Sequence, residues 1–581
     1  MEWWKDAIIY QIYPRSFQDS NGDGIGDIPG IISRLNYLEE LGVDAIWLCP
    51  VYRSPNVDNG YDISDYRAVN PEYGTMEDME RLIREARRRG IRIIMDLVIN
   101  HTSTEHPWFR WGRERNSPYS GYYYWSRGDG DGGLPNNWTS FFGGDCWEFD
   151  VERCEYYLHL FAKEQAELNY HNPAVLKEVK DIMRFWLDKG VAGFRCGAVN
   201  VLWKESLASG KKRAVLTGME RYLSQEGNHE ILRQLRRVLD EYNAFSVGEA
   251  VSVTPEMARD LCGQDRRELD MVFSCEHMEC DQYLVKWLKR KFRPQAFFQC
   301  LAKWQEELDW NALYLENHDQ PRSIPRFGSK KYWKKSGKLL ATLLLTLRGT
   351  PFIYQGEEIG MTGFDFTRMR QVNDVESRSV NRILARFRVP AGLRWRIISR
   401  TSRDNARTPF QWNGGEQAGF TAGRPWLGVN HNCAKVNLAE ERRDPDSIWS
   451  WYRDMLVLRK SSDVLRRGDF ELLEAGKQVF AYRRVLEGES LAIVLNFSDK
   501  PAQYMVRGTL VRSNYPRRVF SGSLQPWEAV ILEEEERKDD EHDESAGVRA
   551  DPLQPPDAGA GDHGGLPGGS PGPDGGQPDA Y

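Results

Sequence analysis

The sequence has no run of about 18 consecutive apolar residues, the length that a membrane-spanning helix needs. Its opening, MEWWKDAIIYQIYP, lacks the basic start, apolar stretch and small-residue cleavage site of a signal peptide. Cysteine is scarce: there are nine, an odd number at irregular spacing, which argues against a disulfide framework and favours a reducing compartment. We therefore expect a cytoplasmic protein without a membrane partner.

The sequence also lacks an excess of positive charge. The net charge is −7 and the pI is about 5.9, so no nucleic-acid partner is expected. Aromatic residues, in contrast, are abundant, with 20 Trp and 25 Tyr. Their flat apolar faces with polar edges suit stacking on sugar rings, although a large core would account for them equally well. The oligomeric state is left open.

Short apolar runs alternate with amphipathic helical patterns along most of the chain. In chain order the eight runs are AIIYQIY, AIWLCP, RIIMDLVIN, VAGFRC, AFSVGEA, LDMVFSC, NALYLENHD and PFIYQGEEIG. Continuous apolar runs of this length are typical of parallel strands buried on both faces. The alternation predicts an α/β fold of the (β/α)₈ TIM-barrel class.

Three segments depart from this alternation and set the predicted domain boundaries. Residues 101–172 form a long Gly-, Trp- and Tyr-rich connection after the third strand, which predicts an inserted subdomain near the site. The barrel then comprises residues 1–100 and 173–465, and strand-like patterns over 466–536 predict a C-terminal β-sandwich domain. Residues 537–581 are rich in Asp, Gly and Pro and predict a disordered tail.

Polar residues end several of the predicted strands. They are Asp96, Asn100 and His101 on the third strand, Glu249 on the fifth, and His318 and Asp319 on the seventh. In a TIM barrel the active site lies at the C-terminal ends of the strands. Carboxylates that end three strands, with aromatic rings around them, favour a site that stabilises a cationic transition state on a neutral polyol.

These residues lie within stretches that resemble a known family. The stretches, in order along the chain, are QIYPRSFQDSNGDGIGD, NGYDISDY, DLVINHTS, YYLHLF, QAELN, GFRCGAVN, SVGEA, ENHDQPR, GTPFIYQGEEIGMT and SRDNARTPFQW. The chain resembles the α-amylase superfamily of glycoside hydrolases, in the branch of oligo-1,6-glucosidases, α-glucosidases and trehalose-6-phosphate hydrolases. QAELN, which includes Gln165, is similar to the QPDLN variant of that branch, from which Ala166 and Glu167 depart.

The resemblance implies a role for each matching position. It makes Glu249 the general acid and base, and Asp319 the carboxylate that grips the sugar hydroxyls. It makes His101 and His318 hydrogen-bond donors to the bound glucose, and Arg195 the residue that orients the nucleophile. The remaining implied substrate-binding residues are the closing pair Asp62 and Arg403, the aromatic walls Tyr61 and Phe161, and Gln165 of the QAELN stretch.

The implied nucleophile position, two residues after Arg195, is Gly197. A retaining glycosidase needs two carboxyl groups about 5–5.5 Å apart, and glycine supplies none. Cys196 points to the opposite face of the strand, because neighbouring side chains alternate. Losing a nucleophile can cost about 10⁶ in rate, as triad deletions show. Three explanations stay open: an isolated substitution in an ordinary hydrolase, a natural inactivation that leaves a sugar-binding pseudoenzyme, or a misread strand register.

A second motif predicts a metal site. DSNGDGIGD places oxygen ligands at alternating positions around a turn at Gly24, namely Asp19, Asn21, Asp23, the carbonyl of Ile25, and Asp27. This is the first part of a calcium-loop pattern, without the glutamate expected at its twelfth position, where Gly30 stands. With the resemblance, it implies a structural Ca²⁺ or Mg²⁺ ion, and no organic cofactor.

The expected function is that of a retaining, exo-acting α-glucosidase of the oligo-1,6-glucosidase type, which hydrolyses short α-glucosides, its small-molecule oligosaccharide substrates, from the non-reducing end and is impaired here by Gly197. Ala198 and QAELN point to different linkages within the branch, so α-1,4 and α-1,6 specificity both stay open. The first alternative is a trehalose-6-phosphate hydrolase, for which the lysines of KKSGK could hold a phosphate, although a solvated helix face explains them as well. The second alternative is a non-catalytic α-glucoside binder.

Overall fold

The structure is a computed structural model that describes residues 2–213, 215–263 and 265–534. The segment 537–581, for which the sequence predicts disorder, lies outside the described residues.

Eight parallel strands close into a barrel, which confirms the predicted fold class. Each coincides with one of the eight apolar runs. They are β1 (Ile9–Ile12), β2 (Ala45–Leu48), β3 (Arg92–Leu97), β4 (Gly193–Cys196), β5 (Phe245–Glu249), β6 (Met271–Phe273), β7 (Ala312–Leu313) and β8 (Thr350–Tyr354). Each strand pairs with the next in sequence, and β8 closes on β1.

A helix follows each barrel strand. These helices are α1 (Leu35–Leu41), α2 (Met76–Arg88), α3 (Pro173–Asp188), α4 (Glu226–Tyr242), α5 (Pro255–Cys262), α6 (Pro294–Glu307), α7 (Trp333–Thr346) and α8 (Ile448–Ser461). In α2 the buried residues Met79, Leu82, Ile83 and Ala86 form one stripe, and Thr75 and Asp78 cap its start reciprocally. An apolar stripe of this kind covers the outside of the barrel.

The connection from β3 to α3 contains its own small elements. Its strands Trp125–Ser126, Trp147–Asp150 and Glu155–Leu158 form an antiparallel sheet, and its helix is Pro107–Gly112. The strand Gln165–Glu167 pairs antiparallel with His101–Ser103. This last pairing holds the end of the connection against the end of β3, beside the C-terminal mouth of the barrel.

The C-terminal part is antiparallel and all-β, as predicted. Its main sheet has the order β9, β10, β11, β13, β12, and a separate pair of short strands is formed by Ala502–Gln503 and Ser523–Leu524. The five strands of the main sheet are β9 (Asp469–Ala475), β10 (Val479–Leu486), β11 (Glu489–Asn496), β12 (Thr509–Ser513) and β13 (Ala529–Glu533).

The chain contains further short helices and strands besides these elements. The other helices are Trp3–Asp6, Ile28–Ser33, Glu276–Glu279, Ser323–Phe327, Val375–Arg386, Ala391–Thr401, Leu438–Arg443 and Asp463–Arg467. The other strands are Tyr52–Arg53, Asp65–Val69, Gln282–Tyr283 and Val285–Lys289. Among the described residues, no helix combines the length and the apolar character that crossing a bilayer demands.

Candidate active site

Arg195 links the ends of three neighbouring barrel strands. Its Nη1 donates to Asp96 Oδ1 at 2.5 Å, and its Nη2 donates to Glu249 Oε2 at 2.5 Å. Arg195 and Asp96 are direct partners in the parallel register of β3 and β4, so both side chains point the same way. Burial opposes the charge of Arg195, but Asp96 and Glu249 hold its pKa well above the ordinary value. The result is a fixed cation between two carboxylates.

Gly197 lies close to Glu249. The register of β4 and β5 ends with the pair Cys196 and Gly248, and Gly197 and Glu249 are the next residues of the two segments. A Cβ on Gly197 would lie 3.9 Å from Glu249 Oε2 and 3.0 Å from Arg195 Nη1. The backbone of Gly197 is not in the left-handed region, so its conformation does not demand glycine. A side chain at this position would point at the carboxylate of Glu249.

No other nearby acid or thiol takes the place of a side chain at Gly197. Asp188 ends α3, where it accepts a hydrogen bond from Tyr242, and Glu205 accepts one from Trp203. Cys196 is buried, and burial raises the pKa of its thiol to about 12, so it stays protonated. Within 3.9 Å of the Cβ position the only carboxylate oxygen among the described residues is that of Glu249.

His318 and Asp319, which follow β7, form a second charged group. His318 Nε2 lies 3.0 Å from Asp319 Oδ2 and 2.8 Å from the hydroxyl of Tyr61. Arg407 Nη2 donates to Asp319 Oδ1 at 2.6 Å, and Arg403 Nη1 does so at 3.3 Å. Burial alone would raise the pKa of Asp319, but His318 and the two arginines hold it well below the ordinary value. Asp319 is therefore an ionised carboxylate with a fixed orientation.

Arg403 pairs with a different aspartate from the one expected. Its Nη2 lies 2.7 Å from Asp58 Oδ1 and 2.7 Å from Asp374 Oδ1. The expected partner, Asp62, is fully buried and accepts hydrogen bonds from the backbone amides of Val57 and Asp58. In this structure Arg403 therefore pairs with Asp58 and not with Asp62, which shapes the turn that presents Asp58. The role of Asp62 in substrate binding stays a prediction.

An aromatic ring, a side-chain amide and a backbone carbonyl surround the first histidine of the site. His101 Nε2 lies 3.1 Å from Gln165 Nε2 and 3.1 Å from the carbonyl oxygen of Tyr61. The ring of Phe161 is 5.1 Å from that of His101, and Tyr61 stacks on His318 at 5.3 Å. Burial lowers the pKa of His101, so the ring is neutral. The structure thus brings these predicted residues to one mouth of the barrel.

Sequence reasoning missed two residues of this cluster, Asp58 and Arg407. Asp58 stands directly before NGYDISDY, and Arg407 lies within SRDNARTPFQW. In each case the residue has the same charge as an expected one four positions away, Asp58 as Asp62 and Arg407 as Arg403. Nothing local decides which of two such charges points into a cleft.

The arrangement of carboxylates, cations and rings is that of a site for a neutral polyhydroxyl ligand. A model of the α-amylase catalytic domain matches residues 11–468. The chain belongs to the α-amylase family. It is 45% identical over 556 residues to the oligo-1,6-glucosidase of Parageobacillus thermoglucosidasius, which covers 91% of this chain and 98% of the relative.

Solved structures of α-amylase family proteins agree with the fold. The trehalose-6-phosphate hydrolase of Bacillus licheniformis is 42% identical and matches with a TM-score of 0.86, over 91% of this chain and 99% of that one. The isomaltulose synthase of Klebsiella sp. LX3 is 38% identical with a TM-score of 0.89 and the same coverage of both chains. Each of these two structures therefore matches the chain over 91% of its length.

The loop expected to bind a metal in this α-amylase family protein is held by its own hydrogen bonds. Asp19 accepts from the backbone amides of Asn21, Gly22 and Gly24, and Asp27 caps the helix Ile28–Ser33. Among the described residues, no three His, Cys, Asp or Glu side chains are grouped so as to hold a metal ion. The oxygen donors suit Ca²⁺ or Mg²⁺, and the ion stays a prediction.

The lysines of KKSGK have partners of their own. Lys334 pairs with Asp444, Lys338 Nζ donates to Asp446 Oδ1 at 2.5 Å, and Lys335 lies 3.8 Å from Asp446. They stand in α7 on the outside of the barrel. Their positive charge is engaged by these carboxylates, and Lys338 is buried, so this part of α7 is not a fully solvated face.

Proposed function

We propose that the chain is a retaining, exo-acting α-glucosidase of the oligo-1,6-glucosidase type, in which Gly197 stands in place of the nucleophile and impairs hydrolysis. The observation that carries this proposal is the 3.9 Å between Glu249 Oε2 and the Cβ position of Gly197. Relatives named as oligo-1,6-glucosidases support the substrate class.

The distance supports retention over inversion of the anomeric centre. A carboxyl carbon lies one C–C bond, about 1.5 Å, beyond Cβ. The carboxyl carbon of an aspartate at position 197 would therefore lie no more than about 5.5 Å from Glu249 Oε2. This agrees with the separation of about 5–5.5 Å between the two carboxyl groups of retaining enzymes. An inverting enzyme needs a wider gap to admit a water molecule.

Glu249 is placed to act as the general acid and base. Its side chain is 32% exposed, so a leaving oxygen can reach it. Asp319, ionised and held by His318 and Arg407, would accept hydrogen bonds from sugar hydroxyls. As positive charge develops on the ring, both carboxylates would stabilise it.

The exo mode rests on the cluster around Arg403. Asp58 and Arg403 form an ion pair of 2.7 Å, and the guanidinium stacks 5.2 Å from the ring of Phe142. This pair joins the turn before NGYDISDY to the segment after β8, and so closes one end of the site. A closed end selects the terminal sugar of a chain.

The test is to restore the carboxylate. Gly197→Asp is expected to raise hydrolysis of aryl α-glucosides, maltose or isomaltose by several powers of ten, because the missing group is the nucleophile. The unaltered chain is the matched reference. If both proteins turn over these substrates at equal rates, position 197 is not the nucleophile position and the proposal fails.

The Gly197→Asp variant also distinguishes the proposal from two alternatives. A trehalose-6-phosphate hydrolase would make Gly197→Asp active only with the phosphorylated disaccharide, and a solved relative with that name supports testing it. A non-catalytic binder would stay inactive with Asp at 197. Calorimetry would then show α-glucoside binding that Glu249→Ala leaves unchanged.

We also propose a structural ion in the loop from Asp19 to Asp27. Its alternating oxygen donors support the proposal, and no step of the proposed reaction is routed through it. Ca²⁺ is expected to raise the melting temperature and EDTA to lower it. Equal melting temperatures in both would contradict the proposal.

A further inference from the structure

Two helices after β8 carry positive charge that the proposed reaction does not use. They are Val375–Arg386 and Ala391–Thr401, and together with the turn 387–390 they are here called the arginine hairpin. Residues 377–402 contain seven arginines and no aspartate or glutamate. Because the whole chain has a net charge of −7, this concentration of cations is local and is hidden in the total.

The arginines form stripes on the outer faces of the two helices. In the first helix Arg378, Arg382 and Arg386 are exposed and recur at every fourth position, so they lie on one face. In the second helix Arg396 and Arg400 are exposed at the same spacing. Among the residues that the structure describes, no carboxylate forms an ion pair with any of the seven arginines. Their charge is directed at solvent, where it attracts an anionic surface.

The turn between the two helices is apolar and exposed. Residues 387–393 read FRVPAGL, in which Arg388 is the single charged residue. Phe387 is 78% exposed and Leu393 is 49% exposed. Exposed apolar side chains that cluster in this way mark an interaction surface. The arginine hairpin therefore presents cations and apolar groups together.

The base of the arginine hairpin is fixed to the rest of the molecule. Asp374 accepts hydrogen bonds from two backbone amides at the start of the first helix and from Nε of Arg403 at 2.8 Å. In the second helix, Trp395 packs against a buried apolar cluster made of Phe364, Phe366, Val372 and Leu427. The charged face is therefore preformed and needs no ordering when it meets a partner.

A neighbouring β-hairpin extends the positive surface. Residues 284–293 contain five lysines and arginines and no acidic residue. Lys286 pairs with Glu376 at the start of the arginine hairpin, so the two segments adjoin. Tyr283 and Leu284, at the turn of this β-hairpin, are 63% and 70% exposed. The combination of cations with exposed apolar groups thus occurs in both segments.

We propose that the arginine hairpin docks this chain on the surface of an anionic phospholipid bilayer. The guanidinium groups pair with lipid phosphates, and Phe387 and Leu393 enter the boundary between headgroups and acyl chains. A nucleic acid is also anionic, but its phosphates would leave the apolar turn in water, so a lipid surface accounts for more of this face. Docking of this kind lies on the bilayer and needs no helix that crosses it.

Co-sedimentation of the full chain with vesicles tests the inference. Vesicles of phosphatidylcholine and phosphatidylglycerol in equal parts should bind the protein at about 0.1 M salt, and vesicles of phosphatidylcholine alone should not. At about 1 M salt the Debye length falls from about 10 Å to about 3 Å, so the affinity should fall by about tenfold or more. Binding that is absent, equal for both lipids or insensitive to salt overturns the inference.

Charge reversal locates the binding surface. Arg382→Glu, Arg386→Glu and Arg396→Glu in one protein should lower the affinity for the anionic vesicles by about 100-fold or more, because each removes a cation and adds an anion at the lipid surface. The control carries the same three changes of charge on the C-terminal domain, at the exposed residues Lys477, Lys500 and Arg507. It should bind like the unaltered chain, and equal losses in both variants would mean that only net charge matters, which overturns the inference.

Phe387→Ser distinguishes a lipid surface from other anionic partners. It should lower vesicle affinity by about tenfold, because the ring no longer leaves water on docking. If vesicle binding is unchanged and double-stranded DNA binds more tightly than vesicles, the partner is a nucleic acid and the inference is overturned. A dimer of the unaltered chain that forms without vesicles and is lost on charge reversal would assign the face to a second copy, which also overturns it.

Two features keep these outcomes decisive. Circular dichroism shows whether each variant folds, and the comparison of lipids and salt uses the unaltered chain, so it decides the inference even if a variant does not fold. The vesicle assay measures no hydrolysis. Its outcome is therefore independent of the Gly197→Asp assay, and failure of this inference leaves the proposed function untouched.

Discussion

At the scale of single residues, the proposed function depends on position 197. The guanidinium of Arg195 lies beside it and bonds Asp96 and Glu249. The carboxylate opposite is intact, and so is the charged group of Asp319. Under the proposed function, the site therefore lacks only the nucleophilic carboxylate, and a small anion added to the solution should supply it.

Azide or formate should act as an external nucleophile beside Gly197, in place of the missing carboxylate. With an aryl α-glucoside that needs little help from an acid, either anion is expected to raise the release of the aryl group by about tenfold or more, equivalent to at least 1.4 kcal/mol of barrier. Azide should leave a β-glucosyl azide as product. Gly197→Ala is the control, since its methyl group would lie 3.0 Å from Arg195 Nη1 and take up room that the anion needs. Rates that neither anion raises would show that the pocket is not intact.

Asp58 and Asp62 have different tasks, which two variants can separate. In the Gly197→Asp background, Asp58→Asn is expected to lower kcat/KM by about 10- to 100-fold, because a hydrogen bond between charged groups contributes about 1.5–3 kcal/mol. Asp62→Asn should mainly lower the melting temperature. Asp62 accepts hydrogen bonds from two backbone amides, one on each carboxylate oxygen, and an asparagine leaves one of these amides without an acceptor. If Asp62→Asn instead lowers kcat/KM and Asp58→Asn lowers mainly the melting temperature, Asp62 is the functional partner of Arg403.

At the scale of elements, the inserted segment is joined to the loop after β4 by one buried ion pair. Lys204 Nζ donates to Glu167 Oε2 at 2.5 Å, and both side chains are fully buried. Glu167 belongs to the strand that pairs with His101–Ser103, and Lys204 follows the turn that begins at Ala198. The pair therefore connects the elements that carry His101 and Gly197.

Removing one partner of this pair should be costly. Lys204→Met leaves the Glu167 carboxylate buried without a cation, which typically destabilises a protein by about 3–5 kcal/mol. The expected result is a clear loss of melting temperature. The double variant with Glu167→Met should lose less than Lys204→Met alone, since no unpaired charge remains. Equal losses in both variants would mean that the ion pair is not the stabilising contact.

The sequence predicted the barrel because its strands are buried on both faces and read as continuous apolar runs. It also predicted which strand ends carry acids, since strand ends share one face of a parallel barrel. It could not choose between Asp58 and Asp62. Both lie in one turn, and the choice depends on backbone amides that point at Asp62 and on an arginine 345 residues away. Such long-range geometry has no local signal.

At the scale of the whole molecule, buried histidines couple stability to pH. Burial lowers the pKa of His106 to about 3 and that of His277 to about 4. His106 Nδ1 accepts the backbone amide of Trp108 at the start of the helix Pro107–Gly112, and His277 lies 3.0 Å from the carbonyl oxygen of Tyr314. Both rings are neutral in the folded protein near pH 5, whereas an unfolded chain protonates histidine below about pH 6.5.

The sign of the effect follows from the proton count. Between pH 6.5 and the folded pKa, the unfolded chain binds more protons, so the free energy of unfolding falls as pH falls. The contribution of His106 is complete above pH 6.5 and is lost at about 1.4 kcal/mol per pH unit towards pH 3. His106→Asn keeps a hydrogen-bond acceptor at the helix start and removes the titration. Melting temperatures from pH 7 to pH 5 should therefore fall less steeply in His106→Asn than in the unaltered chain, and parallel curves would refute the assignment.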